Sequence, residues 1–227
     1  MIISVSRRCD IPRFAFDWFL ERLDSGYAEV KNPFNASQTR RIPLLSPAPE
    51  RPAGESAELL VFWTRDPASI LEHTETLEGQ GYCFFVMTTL TLYPPLLEPN
   101  VPPAETVIKT MEKLAQKITA NRVIWRYDPI FLSSITDFEF HRRNFADLAM
   151  RLNGTVKRVI VSVYDEYPAA ERRLAALEQS RSSGSGGLKR LTCYENGPNG
   201  ENSLPAQVLS PAVRQLLAEL ARIAKRE

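Results

Sequence analysis

Cysteine is scarce in this sequence. Cys9, Cys83 and Cys193 stand far apart and form no CxxC pair, which fits a reducing compartment better than a disulfide scaffold. Histidine is scarcer still: His73 and His141 are the only two, too few for a multi-histidine metal centre. Charge of one sign is missing as well. Twenty-eight basic residues against 27 acidic ones leave a formal net charge of +1, so no global field draws the chain to nucleic acid or an anionic membrane. No apolar run reaches the roughly 18 residues that a membrane span needs, and the apolar start of MIISVSRR is too short for a signal peptide. The glycines spell neither GxGxxG nor GxxxxGK, which leaves a nucleotide fold with a glycine-rich phosphate loop unsupported. No carboxylate spacing demands a magnesium site. These absences predict a cytoplasmic protein with no membrane partner and no metal site.

What is present is enough apolar residue for a core. With 227 residues of which 44% are hydrophobic, the chain can bury one sizeable interior, and a single domain over residues 1–227 is the expectation. Short β-branched or aromatic runs alternate with amphipathic stretches at helical spacing. The strand candidates are Ile2–Ser6, Tyr27–Lys31, Leu59–Trp63, Cys83–Leu90, Arg122–Tyr127, Arg158–Tyr164 and Leu188–Tyr194. The helix candidates are Phe14–Leu23, Ala68–Glu78, Glu105–Thr119, Phe138–Leu152, Ala169–Gln179 and Pro211–Arg226. Asp66-Pro67 and Ser210-Pro211 each place a side-chain acceptor before a proline that fits the first helical turn. In the third helix Val107, Met111, Leu114 and Ile118 share one face, while Lys109, Glu112, Lys113 and Lys117 take the other.

Runs such as LLVFW, CFFVM, RVIW and RVIVSV are nearly continuous apolar segments, as expected of strands covered on both faces. That pattern predicts about seven mostly parallel strands joined by helical crossovers, hence an α/β fold: a partial or complete (β/α) TIM-like barrel, or a doubly wound sheet. NPFNASQTRRIPLL breaks the rhythm and reads as a hairpin excursion near residues 32–46. SPAPERPAGES is a proline-rich loop, and RSSGSGG at 181–187 is a flexible Ser/Gly connection.

Polar residues cluster where those strands end. The first runs into Arg7, Arg8, Cys9 and Asp10, the second into Asn32 and Asn35, and the third into Trp63, Thr64, Arg65 and Asp66. The fourth runs into Thr89 and Thr91, the fifth into Arg126 and Asp128, and the sixth into Tyr164 and Asp165. Parallel strands bring all C-terminal ends to one edge, where α/β folds build ligand sites. Plainer explanations compete at each position. Asp66 reads as a helix cap and is left out of the site, and Arg8 with Asp10, or Arg126 with Asp128, are able to brace strand ends as ion pairs, although their spread across several strands favours the ligand-binding reading. Trp63 and Trp125 fit either a core or a stacking platform. Cys83 lies within an apolar strand and reads as core. Cys9 has Arg7 and Arg8 beside it, the kind of neighbours that activate a thiol, but no nearby histidine to act as its base. Both histidines fall among charged residues of predicted helices, on faces expected to be solvated.

At SRRCDIP, KNPFN, FWTRDP, EPNVPP and VIWRYDPI the sequence resembles a bacterial family called domain of unknown function 1848, from Met1 to about Tyr164 and again in the last helix. The resemblance implies a partial or complete barrel related in style to radical S-adenosylmethionine enzymes. It also implies, in complete relatives, a C-terminal cysteine cluster, with S-adenosylmethionine and an iron–sulfur centre as cofactors. This chain departs from that pattern. Cys9 replaces the family's usual threonine, and after LSPAVRQLLAELARIAKRE the sequence stops where the cysteines would follow. Three scattered cysteines do not reproduce such a cluster, so no cofactor is derivable from this chain.

Two functions are carried forward. In the first, an enzyme-like pocket at the strand rim takes a small anionic ligand. Arg7, Arg8, Arg41 and Arg126 hold negative charge, Asp10, Asp128 and Asp165 transfer protons or bind hydroxyls, and Asn32, Asn35, Trp63, Thr64, Thr89, Thr91, Asn100 and Tyr164 line the site. In the second, a non-catalytic module binds nucleic acid or a phosphorylated metabolite through Arg7, Arg8, Lys31, Arg40 and Arg41, with Phe34, Trp63 and Trp125 as aromatic neighbours. The balanced charge disfavours the nucleic-acid form. A truncated, inactive relative is a third expectation.

Overall fold

A computed structural model of the chain describes residues 1–5, 9–32, 34–35, 37–52, 54–180, 188–191, 193–195 and 208–226. Along the chain these form β1 (Ile2–Val5), α1 (Ile11–Phe14), α2 (Phe16–Ser25), β2 (Tyr27–Lys31), β3 (Thr39–Pro43), β4 (Leu59–Thr64), α3 (Ala68–Glu72), α4 (Thr74–Gly79) and β5 (Phe84–Thr89). They continue as α5 (Ala104–Ile118), β6 (Val123–Ile130), α6 (Phe138–Arg151), β7 (Val159–Val163), α7 (Pro168–Ser180), β8 (Tyr194–Glu195), β9 (Val208–Leu209) and α8 (Pro211–Arg226). The protein is a mixed α/β fold around a five-stranded parallel sheet in the order β1-β4-β5-β6-β7. The chain divides into two compact units. The first comprises Met1–Leu90, Pro99–Arg126 and Gly154–Arg158; the second comprises Thr91–Glu98, Tyr127–Asn153 and Val159–Glu227.

In the first unit the register is parallel throughout: Val5 lies opposite Phe62, Phe62 opposite Val86, and Val86 opposite Val123. Residues that share a register point the same way, so the sheet has two distinct faces. One carries Leu60, Phe62, Phe84 and Val86, all essentially inaccessible to water, and packs on helices. The Phe62 ring meets Phe19 edge-on at 5.6 Å and Phe16 at 5.9 Å, and each such aromatic buried here contributes roughly 1.5–3 kcal/mol through lost apolar hydration. Val107, Met111, Leu114 and Ile118 of α5 are buried, as their spacing predicts. The opposite sheet face carries Ser4, Val61, Trp63, Phe85, Met87, Thr89, Ile124 and Arg126, of which Val61, Trp63, Phe85 and Arg126 are only half-buried. At the end of α2, Gly26 has φ 76°, and a Cβ there would meet the Leu45 side chain at 2.7 Å. Glycine is therefore required by conformation, and a side chain there would also have to displace the Leu45 methyl.

The second unit packs α6 against α8, which buries Val213, Leu216 and Leu220, and Arg142 of α6 reaches Glu219 of α8 at 2.6 Å. Tyr93, Phe131, Leu174 and Leu188 form a further apolar cluster. The β7 end joins β6 through the Tyr164 N–H, which donates to the Ile130 carbonyl at 2.9 Å.

Several expectations are corrected. β2 does not enter the parallel sheet; it pairs antiparallel with β3, Glu29 opposite Arg41, as a separate hairpin. The single helix expected over Ala68–Glu78 breaks at His73 into α3 and α4. The strand expected over Leu188–Tyr194 reduces to a bridge at Arg190 and the short β8. Cys83 is exposed rather than core, because it precedes the first residue of β5. His141 is wholly buried and His73 half-buried, the latter with its ring 5.4 Å from Phe16.

Candidate functional site

Within the first unit, side chains from β1, from the C-terminal ends of β4 and β5, and from the middle of β6 form one group. Arg126 and Thr89 are register partners on β6 and β5, so both project from the face away from the helices. The Arg126 guanidinium donates to the Thr89 hydroxyl at 2.9 Å and lies 4.7 Å over the Trp63 ring. Trp63 is in turn fixed by its indole N–H, which donates to the Ser4 hydroxyl at 3.0 Å. A cation stacked on indole is stabilised by the ring quadrupole and holds its planar fork in one orientation. Burial lowers the affinity of Arg126 for its proton, and the like charge of Arg65 lowers it further. Arg65, absent from the sequence-derived site, is thus a second guanidinium near the first. Its only sequence signal is its place directly after a strand and before the Asp66-Pro67 cap.

Asp10 has a definite structural task here. One carboxylate oxygen accepts from the Arg13 N–H at 3.1 Å and caps α1, while the other accepts from the Arg65 backbone N–H at 2.7 Å. Asp10 therefore ties the loop after β1 to the loop after β4. Thr64 is likewise engaged: its hydroxyl donates to the Asp66 carbonyl at 2.8 Å and accepts from the Asp66 N–H at 2.9 Å. The Asp66 carboxylate accepts from Ala68 N–H at 3.2 Å, the capping role expected of it. Asn100 meets the rim loops through its backbone carbonyl, which accepts from Arg13 at 2.7 Å.

Other members of the sequence-derived set lie elsewhere. Arg7 and Arg8 fall outside the described residues. Asn32 and Asn35 organise the connection between β2 and β3 with side-chain acceptors to Phe34 N–H at 2.9 Å and Ser37 N–H at 3.2 Å, because β2 leaves the main sheet. Arg41 stacks 3.4 Å over Tyr27 in the same hairpin. Trp125 faces the helix side of the sheet, 2% exposed, with its N–H donated to the Leu90 carbonyl at 2.9 Å. It belongs to the core and presents no stacking surface.

The second unit holds the remaining candidates. Asp128 accepts a short hydrogen bond from the Ser162 hydroxyl, and Asp165 is exposed in the segment after β7. The Tyr164 hydroxyl donates to Glu171 at 2.8 Å; desolvation, followed by that carboxylate, pushes the phenol well above its usual range. Glu171 and Glu178 both receive Arg190, at 2.5 and 2.8 Å. The Thr91 hydroxyl donates to Glu98 at 2.7 Å. A buried network that sequence reasoning missed joins His141, Tyr127 and Asn144: the Tyr127 hydroxyl lies 2.8 Å from His141 Nδ1 and accepts from Asn144 at 3.0 Å. Asn144 also donates to the Thr91 carbonyl at 2.6 Å. Burial drives His141 down to about 4 against its ordinary 6.5 and pushes the Tyr127 phenol far up. The signal available in the sequence was helical spacing, since His141 shares a face of α6 with Phe145, Leu148 and Ala149.

Among the described residues, no three or more histidines, cysteines, aspartates or glutamates gather where they could hold a metal ion. Within the first unit, Cys9 follows the C-terminal end of β1 while Cys83 precedes the N-terminal end of β5, and Cys193 is buried in the second unit. These thiols do not fit an iron–sulfur cluster, whose ligands must converge on one centre. No described helix is long and apolar enough to cross a membrane.

Residues 2–192 match the family model described as Domain of unknown function (DUF1848). No curated protein and no solved structure matches the chain.

Proposed function

The chain belongs to this family of unknown function, and from the geometry of its strand ends we propose that it is an enzyme-like α/β protein whose first unit binds a small anionic ligand at the sheet's C-terminal rim. The observation that carries this reading is Arg126, oriented by Thr89 and Trp63 and repelled by nearby Arg65. A planar guanidinium held in one orientation at a half-buried position presents its fork to an anion in a bidentate manner.

In this proposal Arg126 and Arg65 hold the negative group, Thr89 and Trp63 orient Arg126, and Asp10 sets the backbone of Arg65. Asp128 and Asp165 belong to the second unit and carry no role in this proposal. The strand and helix alternation supports reading the fold as an incomplete (β/α) TIM-like barrel, whose ligand sites lie at this strand end. The reading includes a cytoplasmic location. It does not route chemistry through S-adenosylmethionine or an iron–sulfur cluster, because the chain's thiols are not arranged to ligate one.

The rival reading, a module for nucleic acid or phosphorylated metabolites, draws on one specific feature: Lys31, Arg40 and Arg41 are exposed on the β2–β3 hairpin with Phe34, which is 97% exposed, between the strands. Salt separates the two, since phosphate-dominated binding weakens steeply as ionic strength rises.

The test is a thermal-shift panel of inorganic phosphate, carboxylates, nucleotides and S-adenosylmethionine against the wild type and Arg126→Met. A ligand at a hundred times its dissociation constant stabilises by about 2.7 kcal/mol. An anion that shifts the wild type and not the variant supports the proposal. Silence across the panel contradicts it and favours an inactive relative.

A further inference from the structure

The second unit contains a run of hydrogen bonds whose direction is fixed at both ends. A carbonyl oxygen only accepts, so the Phe131 carbonyl, 3.2 Å from His141 Nε2, puts the ring proton on that nitrogen and leaves Nδ1 to accept. The Tyr127 hydroxyl, 2.8 Å from Nδ1, therefore donates to it. Its oxygen accepts from the Asn144 amide at 3.0 Å, and the same amide nitrogen donates to the Thr91 carbonyl at 2.6 Å. His141, Tyr127 and Thr91 are each no more than 1% exposed. Thr91 opens the loop Thr91–Glu98, which its own hydroxyl closes on Glu98 at 2.7 Å. Leu92 has φ 51°, a left-handed backbone that residues with a side chain rarely adopt. It is clamped there from both sides: by Asn144 on Thr91, and by Tyr93, whose hydroxyl donates to the Pro129 carbonyl at 2.7 Å and accepts from the Phe131 N–H at 2.8 Å.

We infer that this run is an acid-sensitive latch on the Thr91–Glu98 loop: a proton taken up by His141 reverses donors and acceptors through Tyr127 and Asn144, and the Thr91 carbonyl is released. The inference stands apart from the anion-binding reading of the first unit. Protonation at Nδ1 sets a donor against the Tyr127 hydroxyl across 2.8 Å, so the hydroxyl proton has to turn away. On its Asn144 side it meets an N–H already aimed at the same oxygen. The amide resolves this by flipping, which presents its oxygen to the hydroxyl and, by the same turn, to the Thr91 carbonyl. Two acceptors then face one another where the 2.6 Å hydrogen bond stood, and Leu92 loses one side of its clamp. Burial opposes the protonated ring, while the Phe131 carbonyl and Asp137, at the start of α6, favour it. Tyr127 of β6 and Tyr93 of the loop meet the ring edge-on at 5.7 and 5.9 Å, and the charge of Glu98 acts on Tyr127. Glu219 of α8 is taken up by Arg142. The coupling is reciprocal: whatever holds the loop open also eases protonation of His141.

Heteronuclear NMR of the full chain, titrated from neutrality through the His141 transition near 4, tests the latch without any variant. The Leu92 and Tyr93 amides should shift with the same midpoint as the His141 ring carbons. Their exchange with solvent, corrected for pH, should rise about fivefold or more, as the loss of one buried hydrogen bond requires. Amides of α5, in the first unit, should keep their positions. Tyr127→Phe retains the ring and removes the hydroxyl; there His141 should still titrate, with Leu92 and Tyr93 no longer following it. Wild-type Leu92 and Tyr93 signals that stay put while His141 titrates mean that the Tyr127 proton finds its acceptor elsewhere, and overturn the latch. Loss of the native signals of both units together at that midpoint also overturns it, since His141 then supports the whole fold. A Tyr127→Phe loop that still follows His141 does the same.

Discussion

The guanidinium of Arg126 rests 4.7 Å over the ring of Trp63, and the Trp63 N–H is anchored on the Ser4 hydroxyl at 3.0 Å. Strands β1, β4 and β6 thereby fix the direction in which one cation points. Replacing Trp63 with leucine keeps apolar volume on the strand but removes both the quadrupole and the anchor. Anion affinity is expected to fall roughly two- to fivefold, the size of a partly exposed cation–π contact. Titration of Trp63→Leu with whichever anion stabilises the wild type checks this; unchanged affinity shows that the ring does not orient Arg126.

Asp10 is expected to behave as a structural carboxylate. Asp10→Ala removes both the cap on α1 and the acceptor for the Arg65 N–H. Unfolding free energy should drop by about 1–3 kcal/mol. Asp10→Asn, which still caps, should recover at least half of that loss. Urea unfolding of the two variants measures both, and a full-strength Asp10→Ala protein contradicts the assignment.

His141 makes stability depend on pH with a defined sign. In the folded protein its proton affinity is depressed to about 4, while in the unfolded chain it keeps the ordinary 6.5. Above 6.5 the ring is neutral in both states and its contribution is complete. As pH falls between 6.5 and about 4, the unfolded chain takes up a proton that the folded protein refuses, so stability is lost through this window and the loss levels off below it. The full span is on the order of 3 kcal/mol. Urea midpoints measured from neutrality downward should show the slope in the wild type and a flatter one in His141→Gln; parallel curves contradict the buried neutral histidine.

Arg190 ties two carboxylates of α7 to the segment that follows residue 187. Its side chain is 33% exposed, and solvent screens the pair, so Arg190→Ala is expected to cost only about 1 kcal/mol, less in high salt. Thermal melts of the wild type and variant at low and high salt test this, with the difference shrinking as salt rises.

Much of the fold was legible because its signals are local. Tyr27–Lys31 and Pro211–Arg226 were bounded correctly by a β-branched run and by a Ser-Pro start, and the helix-facing row of α5 followed from its period. What local patterns cannot carry is pairing partner and depth. The run YAEVK reads as any strand does, and only tertiary contact assigns it to a hairpin, which moved Asn32, Asn35 and Arg41 away from the rim. His141 looked solvated because Glu139, Arg142 and Arg143 flank it, yet side chains three and four apart decide a helix face. In the site, Trp63 and Thr89 were legible as strand-end residues on adjacent parallel strands, whereas Arg126 lies within β6, which runs on to Ile130 instead of ending at Tyr127. Arg65 was placed at the same strand end as Trp63 but given no role there, and Asp10 was read as chemistry because its two backbone partners are invisible in sequence.

The most direct test of the rim site is the side-chain Nε–Hε spectrum of the arginines, with the Arg126 signal assigned by its disappearance in Arg126→Lys. Adding a stabilising anion is predicted to shift that signal in step with binding. An anion that binds while the Arg126 signal stays where it was contradicts the account.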